Sequence, residues 1–133
     1  MYESARICRE SLRRCNSDPT FMDVFYRNFL ASSEEVSEKF ANTDFKRQNE
    51  MLRKSLHMII LSCGGHDEGD SYLLEIAKRH GRNDLKIKPE MYDLWLTSLM
   101  DTVQEIDPDY SSEVDLAWRE TMQHGIQYMI EYA

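Results

Sequence analysis

The sequence predicts an all-α fold in a single domain, and three observations lead to this prediction. The five glycines and three prolines fall between periodic segments, with Gly125 as the main exception. Within those segments, apolar residues recur every three to four positions, as on one face of an α-helix. No segment shows the alternation that is typical of a half-buried strand. A chain of 133 residues fits one domain with one core, residues 1–133.

The N-terminal part of the chain predicts two helices. The first covers roughly Tyr2 to Cys15. The second opens at "SDPTF", where Asp18 is a suitable N-cap and Pro19 suits the first helical turn. Its apolar residues are spaced to form one stripe along the helix: Phe21, Met22, Phe25, Phe29 and Leu30.

The middle of the chain predicts a short helix followed by a long one. In "SSEEVSEKF", Ser32 and Glu35 have the spacing of a capping box, and the short helix is expected to end near Phe40. After the polar "ANTD", a long helix is expected from about Asp44 to Ser62. Its apolar side carries Phe45, Leu52, Leu56, Ile59 and Ile60.

A glycine-rich acidic stretch, "CGGHDEGD", interrupts the pattern after the long helix. The next helix is expected over about Ser71 to His80. Four of its positions follow the i, i+3, i+4, i+7 spacing of one helix face: Leu73, Ile76, Ala77 and His80. We therefore expect His80 on the apolar side of this helix, just before a basic loop.

Two further helices complete the prediction. One begins at Pro89, and the turn "DPDYSS" separates it from a last helix over about Ser111 to Tyr132. The inward-facing positions expected in the two helices are Tyr92, Trp95, Leu96, Leu99, Met100 and Val103, then Val114, Trp118, Thr121, Met122, Gly125, Ile126, Met129 and Ile130. Seven helices, some very short, favour an orthogonal helical sandwich over a simple four-helix bundle.

Charge and composition narrow the possible partners. The net charge of −8 disfavours binding to nucleic acid, whose phosphates attract clustered Lys and Arg. No apolar run approaches the roughly 20 residues that span a bilayer, and the N-terminal segment lacks the apolar core of a secretory signal. Three cysteines without a C-x-x-C spacing are expected to be reduced thiols. We therefore expect a cytoplasmic protein that binds neither membranes nor nucleic acid.

Of the four histidines, His80 is the one with an apolar helix face around it. His57 and His66 are expected at the surface, and His124 lacks the Glu-x-x-His spacing of di-iron bundles. No nucleophile elbow, Walker loop, H-E-x-x-H motif or paired cysteine site is present in the sequence. From its own helix alone, His80 could be a core histidine bonded to a backbone carbonyl or a ligand to a cofactor.

Three segments in order carry a resemblance to a known family. These are "FYRNFLASSEEVSEKFANTD", "TDFKRQNEML" and "IAKRHGRNDLKIKPEMY". From about Phe21 to Gln127, the chain resembles the bacterial single-domain globins and the haem domain of flavohaemoglobins. The resemblance implies a globin fold, a three-over-three helical sandwich around haem b.

The resemblance also implies roles for individual residues. His80 takes the position of the proximal ligand to haem iron. Tyr26 and Gln48 take the positions of the distal polar residues. The other implied contacts to the cofactor are Phe40, Leu52, Leu85, Ile87 and Tyr92, and Leu52 also belongs to the distal ligand site. The basic residues near His80 could pair with haem propionates or form a solvated turn: Arg79, Arg82, Lys86 and Lys88.

Elementary chemistry agrees with these implied roles. Haem needs an apolar slot with one axial nitrogen donor whose tautomer is fixed by a hydrogen bond from its other ring nitrogen. A diatomic ligand that gains negative charge is stabilised by an O–H or N–H donor, which Tyr26 and Gln48 would supply. Trp95 stands where flavohaemoglobins have a small aliphatic residue. Its indole N–H could be a third donor, or the side chain could belong to the core.

Several functions are open at this point. Reversible binding of O2, with NO or CO as alternatives, is the first expectation. NO dioxygenation or weak peroxidase activity would need a separate reductase, because a chain of this length has no room for a fused flavin domain. A gas sensor that acts through a partner protein is the third possibility, and a haem-free fold with a structural His80 is the fourth.

Overall fold

The computed structural model describes residues 2–80 and 87–132, and within these ranges it contains seven α-helices and no strand. The helices are α1 (Tyr2–Asn16), α2 (Phe21–Ser32), α3 (Glu34–Lys39), α4 (Phe45–Cys63), α5 (Asp67–His80), α6 (Pro89–Ile106) and α7 (Ser112–Tyr132). Most bounds lie within about one residue of the expected ones. Asp44 is the N-cap of α4, as its side chain accepts hydrogen bonds from the backbone N–H groups of Lys46 and Arg47.

The helices pack in two layers of three, with the short α3 at one end of α2. One layer contains α1, α4 and α5, and the other contains α2, α6 and α7. Between the layers, α7 packs on α1, α4 and α5, while α2 packs on α4. The expected all-α fold, a three-over-three helical sandwich, is therefore confirmed. Within the described ranges, no helix combines the length and apolar character needed to span a bilayer.

Two predicted N-caps are wrong by one to two residues. α2 begins at Phe21, and Asp18 instead accepts hydrogen bonds from the backbone N–H and hydroxyl of Thr20, at 2.8 and 2.7 Å, in the turn before the helix. The N-cap of α3 is Ser33, whose hydroxyl accepts from the backbone N–H of Val36 at 3.0 Å. Ser32 is still the last residue of α2. Adjacent serines cannot be distinguished by a capping pattern alone.

The start of α5 is the largest difference from prediction. The helix begins at Asp67, four residues before the expected Ser71. Acidic residues in its first turn favour a helix N-terminus. Gly69 had suggested a break, yet it lies inside the helix. A glycine suits this position because a Cβ there would come within 2.4 Å of the backbone nitrogen of Ser62 on α4.

A buried polar cluster joins α1 to the second layer. The Asp107 carboxylate, 4% exposed, accepts from Ser11 Oγ at 2.5 Å and from Arg14 Nε at 2.7 Å. The indole N–H of Trp118, which is fully buried, donates to Ser11 Oγ at 2.8 Å. Burial alone would raise the pKa of Asp107, but the hydrogen bonds from Arg14 and Ser11 outweigh it and hold the pKa below its usual value.

Candidate functional site

A cavity of about 250 Å³ opens between the two layers. Six helices contribute residues to its wall: α2, α3, α4, α5, α6 and α7. Its walls are mainly aliphatic and aromatic, and a few polar groups converge on it: Tyr26, Gln48, Ser55, Tyr72, His80, Tyr92 and Trp95. This combination is typical of a binding site for a largely apolar group with a few points of polar attachment.

His80 is the last residue of α5 and is half-buried in the cavity wall. Burial lowers the pKa of His80, so its imidazole is neutral near pH 7. Nδ1 lies 3.3 Å from the phenol oxygen of Tyr92 on α6. This contact occupies Nδ1 and leaves the other ring nitrogen, Nε2, available to donate its electron pair to a metal or to form a hydrogen bond.

Tyr26 and Gln48 form a hydrogen-bonded pair in the same cavity. Tyr26, on α2, is 5% exposed, and burial raises its pKa to about 12 while the hydrogen bond from Gln48, on α4, partly counteracts this. The phenol is therefore neutral over the physiological pH range. Because its oxygen accepts from the Gln48 amide, its own O–H remains able to donate elsewhere.

Aromatic rings hold Tyr26 in place. Its ring centroid lies 5.0 Å from that of Phe25 and 5.4 Å from that of Phe45, both in edge-to-face contacts. Phe40, at the C-cap of α3, lies 5.8 Å from Tyr26 and is itself half-buried in the cavity wall. Such ring pairs favour fixed geometries, so the position of the Tyr26 hydroxyl is defined by packing.

The other residues expected from the sequence have mixed outcomes. Leu52, 7% exposed, lines the cavity one turn after Gln48, and the half-buried Ile87 lines it just before α6. Trp95 also lines it, with its ring in edge-to-face contact with Phe25 at 6.1 Å. Leu85 lies outside the described residues, as do Arg82 and Lys86. Of the basic residues, Arg79 lines the cavity, whereas Lys88 does not and its ammonium group instead pairs with Glu35 at 2.9 Å. The other described residues that the sequence had suggested for the site all line this one cavity.

Two features of the cavity were missed from the sequence. Ser55 on α4 and Tyr72 on α5 are joined by a hydrogen bond of 2.8 Å between their hydroxyl groups, and both line the cavity. The helical spacing of Tyr72 with Ile76 would have indicated its face, but the Ser55 contact depends on the packing of two helices. The second feature is that α7 supplies part of the wall, through Gly125, Ile126 and Met129.

A second polar cluster ties α4, α5 and α7 together. The Ser62 hydroxyl donates to the Asp70 carboxylate, and it lies 2.7 Å from Nε2 of His124. Since the one hydroxyl proton goes to Asp70, Nε2 of His124 must donate to Ser62. Tyr128 also bonds to Asp70. Across residues 2–80 and 87–132, no three His, Cys, Asp or Glu side chains group as a site for a metal ion.

Comparisons with known proteins give a consistent result. A family model described as Globin matches residues 17–129 of the chain. The crystal structure of a protein from Pseudomonas aeruginosa PAO1, described as structurally highly homologous to a human haemoglobin, is similar with a TM-score of 0.92. The two sequences are 39% identical, and the match covers 97% of each chain. No curated protein matches the chain.

Proposed function

The chain belongs to the globin family, and we propose that it binds haem b through His80 and holds a diatomic gas, foremost O2, beside Tyr26 and Gln48. Haem binding in general follows from the family. One observation carries the more specific proposal: a single apolar cavity contains both a neutral imidazole and a hydrogen-bonded tyrosine–glutamine pair.

The residues of the cavity fit haem in their chemistry. A planar apolar group needs aliphatic and aromatic walls, which this cavity has, and a single nitrogen donor, which His80 offers. The two charged side chains among the described wall residues, Lys39 and Arg79, are both cations, as two propionates require. When bound, the haem iron supplies the coordination position at which a diatomic gas binds.

His80 can act as a ligand because burial keeps its imidazole neutral. To coordinate through Nε2, the ring must carry its proton on Nδ1, and Tyr92 Oη at 3.3 Å is then the acceptor of that proton's hydrogen bond. Tyr92 thereby favours one tautomer and one ring orientation. Burial raises the pKa of Tyr92 to about 12, so it acts as a neutral hydroxyl rather than as a phenolate.

Tyr26 and Gln48 act on the bound gas by hydrogen bonding. A gas that gains partial negative charge is stabilised by a buried O–H donor by about 1 to 3 kcal/mol. At about 1.4 kcal/mol per tenfold change, this corresponds to dissociation slowed roughly 5- to 150-fold. The Gln48 amide donates a hydrogen bond to the Tyr26 oxygen, so the Tyr26 hydroxyl proton can be donated to the ligand. This is a reason for the two residues to occur as a pair.

The ligand assignment is tested with His80→Ala and a matched control, His57→Ala, which changes an exposed histidine of α4. We expect the purified control to show the Soret absorption of a haem protein and the His80 variant to lose it or to show an altered, weaker spectrum. Imidazole added to the His80 variant should restore a histidine-like spectrum. Normal haem content and spectrum in His80→Ala without imidazole would refute the assignment.

The distal assignment is tested by the rate of O2 dissociation. We expect Tyr26→Phe to release O2 at least about fivefold faster than the unmodified protein. Tyr110→Phe, which removes a phenol hydroxyl bonded to Asp115 at 2.6 Å, serves as the control and should leave the rate unchanged. An unchanged rate in Tyr26→Phe together with faster release in Trp95→Phe would assign the donor role to Trp95 instead.

NO dioxygenation is a second candidate, favoured by the same pair of donors. Strong hydrogen bonds that slow O2 release suit a protein that consumes bound O2 better than one that delivers it. The net reaction joins NO and O2 with one electron to give nitrate, so a reductase must supply that electron. Nitrate formation from NO in the presence of a flavin reductase, measured against the protein without reductase, separates this function from simple gas binding.

A further inference from the structure

A tyrosine with a carboxylate partner lies directly behind the cavity wall. Tyr128 of α7 is half-buried, and its phenol hydroxyl bonds to the carboxylate of Asp70 on α5. Tyr128 immediately precedes the wall residue Met129, and Asp70 stands three residues before the wall residue Leu73. An α-helix with its side chains is about 10 to 12 Å wide, so no more than the width of one helix separates the pair from the cavity.

The carboxylate makes this phenol suited to losing one electron. Burial and the negative charge of Asp70 raise the pKa of Tyr128, so the group is a protonated phenol at neutral pH. A phenol that gives up an electron also gives up its proton, and a carboxylate that already shares a hydrogen bond with it can accept that proton. The three tyrosines of the cavity wall have other partners in the described part of the chain: an amide for Tyr26, a hydroxyl for Tyr72 and an imidazole for Tyr92.

A second aromatic ring continues from Tyr128 to the surface. Tyr132 follows one turn later on α7, and its ring centroid lies 5.4 Å from that of Tyr128. Tyr132 is 46% exposed, whereas the neighbouring wall residue Met129 is 6% exposed. The two rings in contact therefore connect the region behind the cavity wall with solvent.

We propose that Tyr128 and Tyr132 form a surface site that oxidises phenolic reductants too large for the cavity, with hydrogen peroxide as the oxidant. This inference rests on the proposed function, because haem is the group that peroxide oxidises. Tyr128 passes one electron to the oxidised haem protein and its phenol proton to Asp70, which leaves a neutral phenoxyl radical. Tyr132 then returns an electron to Tyr128, which regains its proton from Asp70, and Tyr132 releases its own phenol proton to solvent.

The last step takes place at the exposed ring of Tyr132. A phenolic reductant passes one hydrogen atom, an electron with a proton, to the Tyr132 radical and leaves as a phenoxyl radical. Hydrogen peroxide takes up two electrons and two protons to give two molecules of water, so one peroxide oxidises two molecules of the phenol. The two protons that peroxide needs equal the two that Tyr132 releases to solvent.

The first test locates the buried radical. Haem-loaded protein is mixed with hydrogen peroxide, frozen within milliseconds and measured by electron paramagnetic resonance. We expect a tyrosyl signal in the unmodified protein that Tyr128→Phe reduces at least about fivefold. Tyr110→Phe is the matched control and should keep the signal, because Tyr110 also bonds to a carboxylate, that of Asp115 at 2.6 Å, but lies at the opposite end of α7.

The second test detects the exposed radical. Two phenoxyl radicals at the surface couple to dityrosine, so peroxide without a reductant should produce covalent dimers that peptide mass spectrometry maps to Tyr132. Tyr132→Phe should lose most of these dimers and keep the Tyr128 signal. It should also oxidise a phenol tethered to polyethylene glycol at least about fivefold more slowly, whereas Tyr110→Phe should match the unmodified protein.

The outcomes separate the tyrosine pair from the haem proposal. An undiminished signal in haem-loaded Tyr128→Phe, or equal oxidation of the tethered phenol by Tyr132→Phe and the unmodified protein, would overturn the surface site. A missing Soret absorption before peroxide is added would refute the proposed function instead. The pair is then tested with photo-oxidised ruthenium tris-bipyridine, a one-electron oxidant that needs no haem, and cross-links that map away from Tyr132 would overturn it.

Discussion

Replacing Gly69 with alanine tests whether the position of α5 is determined by its backbone contact with α4. The added Cβ would lie 2.4 Å from the backbone nitrogen of Ser62 and 2.7 Å from the carbonyl oxygen of Met58. Both obstacles are backbone atoms, so no side chain can rotate to relieve them. The two helices would have to separate by about 1 Å to restore ordinary van der Waals distances.

The magnitude follows from two opposing effects. Overpacking costs about 1 to 3 kcal/mol, and a rigid backbone obstacle puts this site at the upper end. Alanine gains about 1 kcal/mol over glycine within a helix. We therefore expect Gly69→Ala to lower the free energy of unfolding by about 2 kcal/mol, a large share of the 5 to 15 kcal/mol that is usual for a folded domain.

Urea unfolding followed by circular dichroism measures this effect, with all variants in the same haem state because ligand binding adds to apparent stability. We expect the midpoint of Gly69→Ala to fall by roughly 1 M with an unchanged slope. Gly64→Ala is the matched control, since its new Cβ would come no closer than 3.4 Å, to the carbonyl oxygen of Ile60. Equal midpoints for the two variants would refute the reasoning.

Three further predictions concern other buried contacts. Gly125→Ala should destabilise by about 1 kcal/mol because its Cβ would meet side-chain atoms of Ile59 at 2.9 to 3.0 Å, and Ile59→Ala should relieve the strain in a double-mutant cycle. Asp107→Asn should lower the free energy of unfolding by about 2 kcal/mol at pH 7. Because Arg14 holds the native pKa of Asp107 below the usual 3.8, the unmodified protein should lose stability as the pH falls below that value, and the variant should lose less. Burial lowers the pKa of His124, so stability should decrease as pH falls below about 6.5, and pH titration of unfolding should show a flatter profile in His124→Gln.

Periodicity was sufficient for the number and order of the helices. It was not sufficient for the start of α5, because a glycine inside a helix looks the same in the sequence whether it breaks the helix or permits close packing. Gly69 permits close packing, because the backbone of α4 passes directly against it. The bounds of helices are thus predictable where capping side chains act locally, as at Asp44, and less so where another helix decides.

The residues of the cavity were predictable for a different reason. Apolar spacing alone left His80 either a core histidine or a ligand, and the resemblance of three ordered segments favoured the second. The family is confirmed by the Globin match over residues 17–129. The roles of His80, Tyr26 and Gln48 stay predictions until they are measured. The contacts of Ser62 with His124 could not be predicted, since 62 positions separate them and no local pattern links them.

The position of His80 depends on contacts along the whole of α5. The helix has 14 residues and is therefore about 21 Å long. At its start, Asp70 is bonded to α4, near its middle Tyr72 is bonded to α4 again, and at its end His80 meets Tyr92 of α6. Three contacts spread over one rigid helix prevent both sliding and rotation about its axis. A change at the first turn, such as Gly69→Ala, should therefore displace an imidazole that lies some 16 Å away, and the Soret spectrum of that variant should report it.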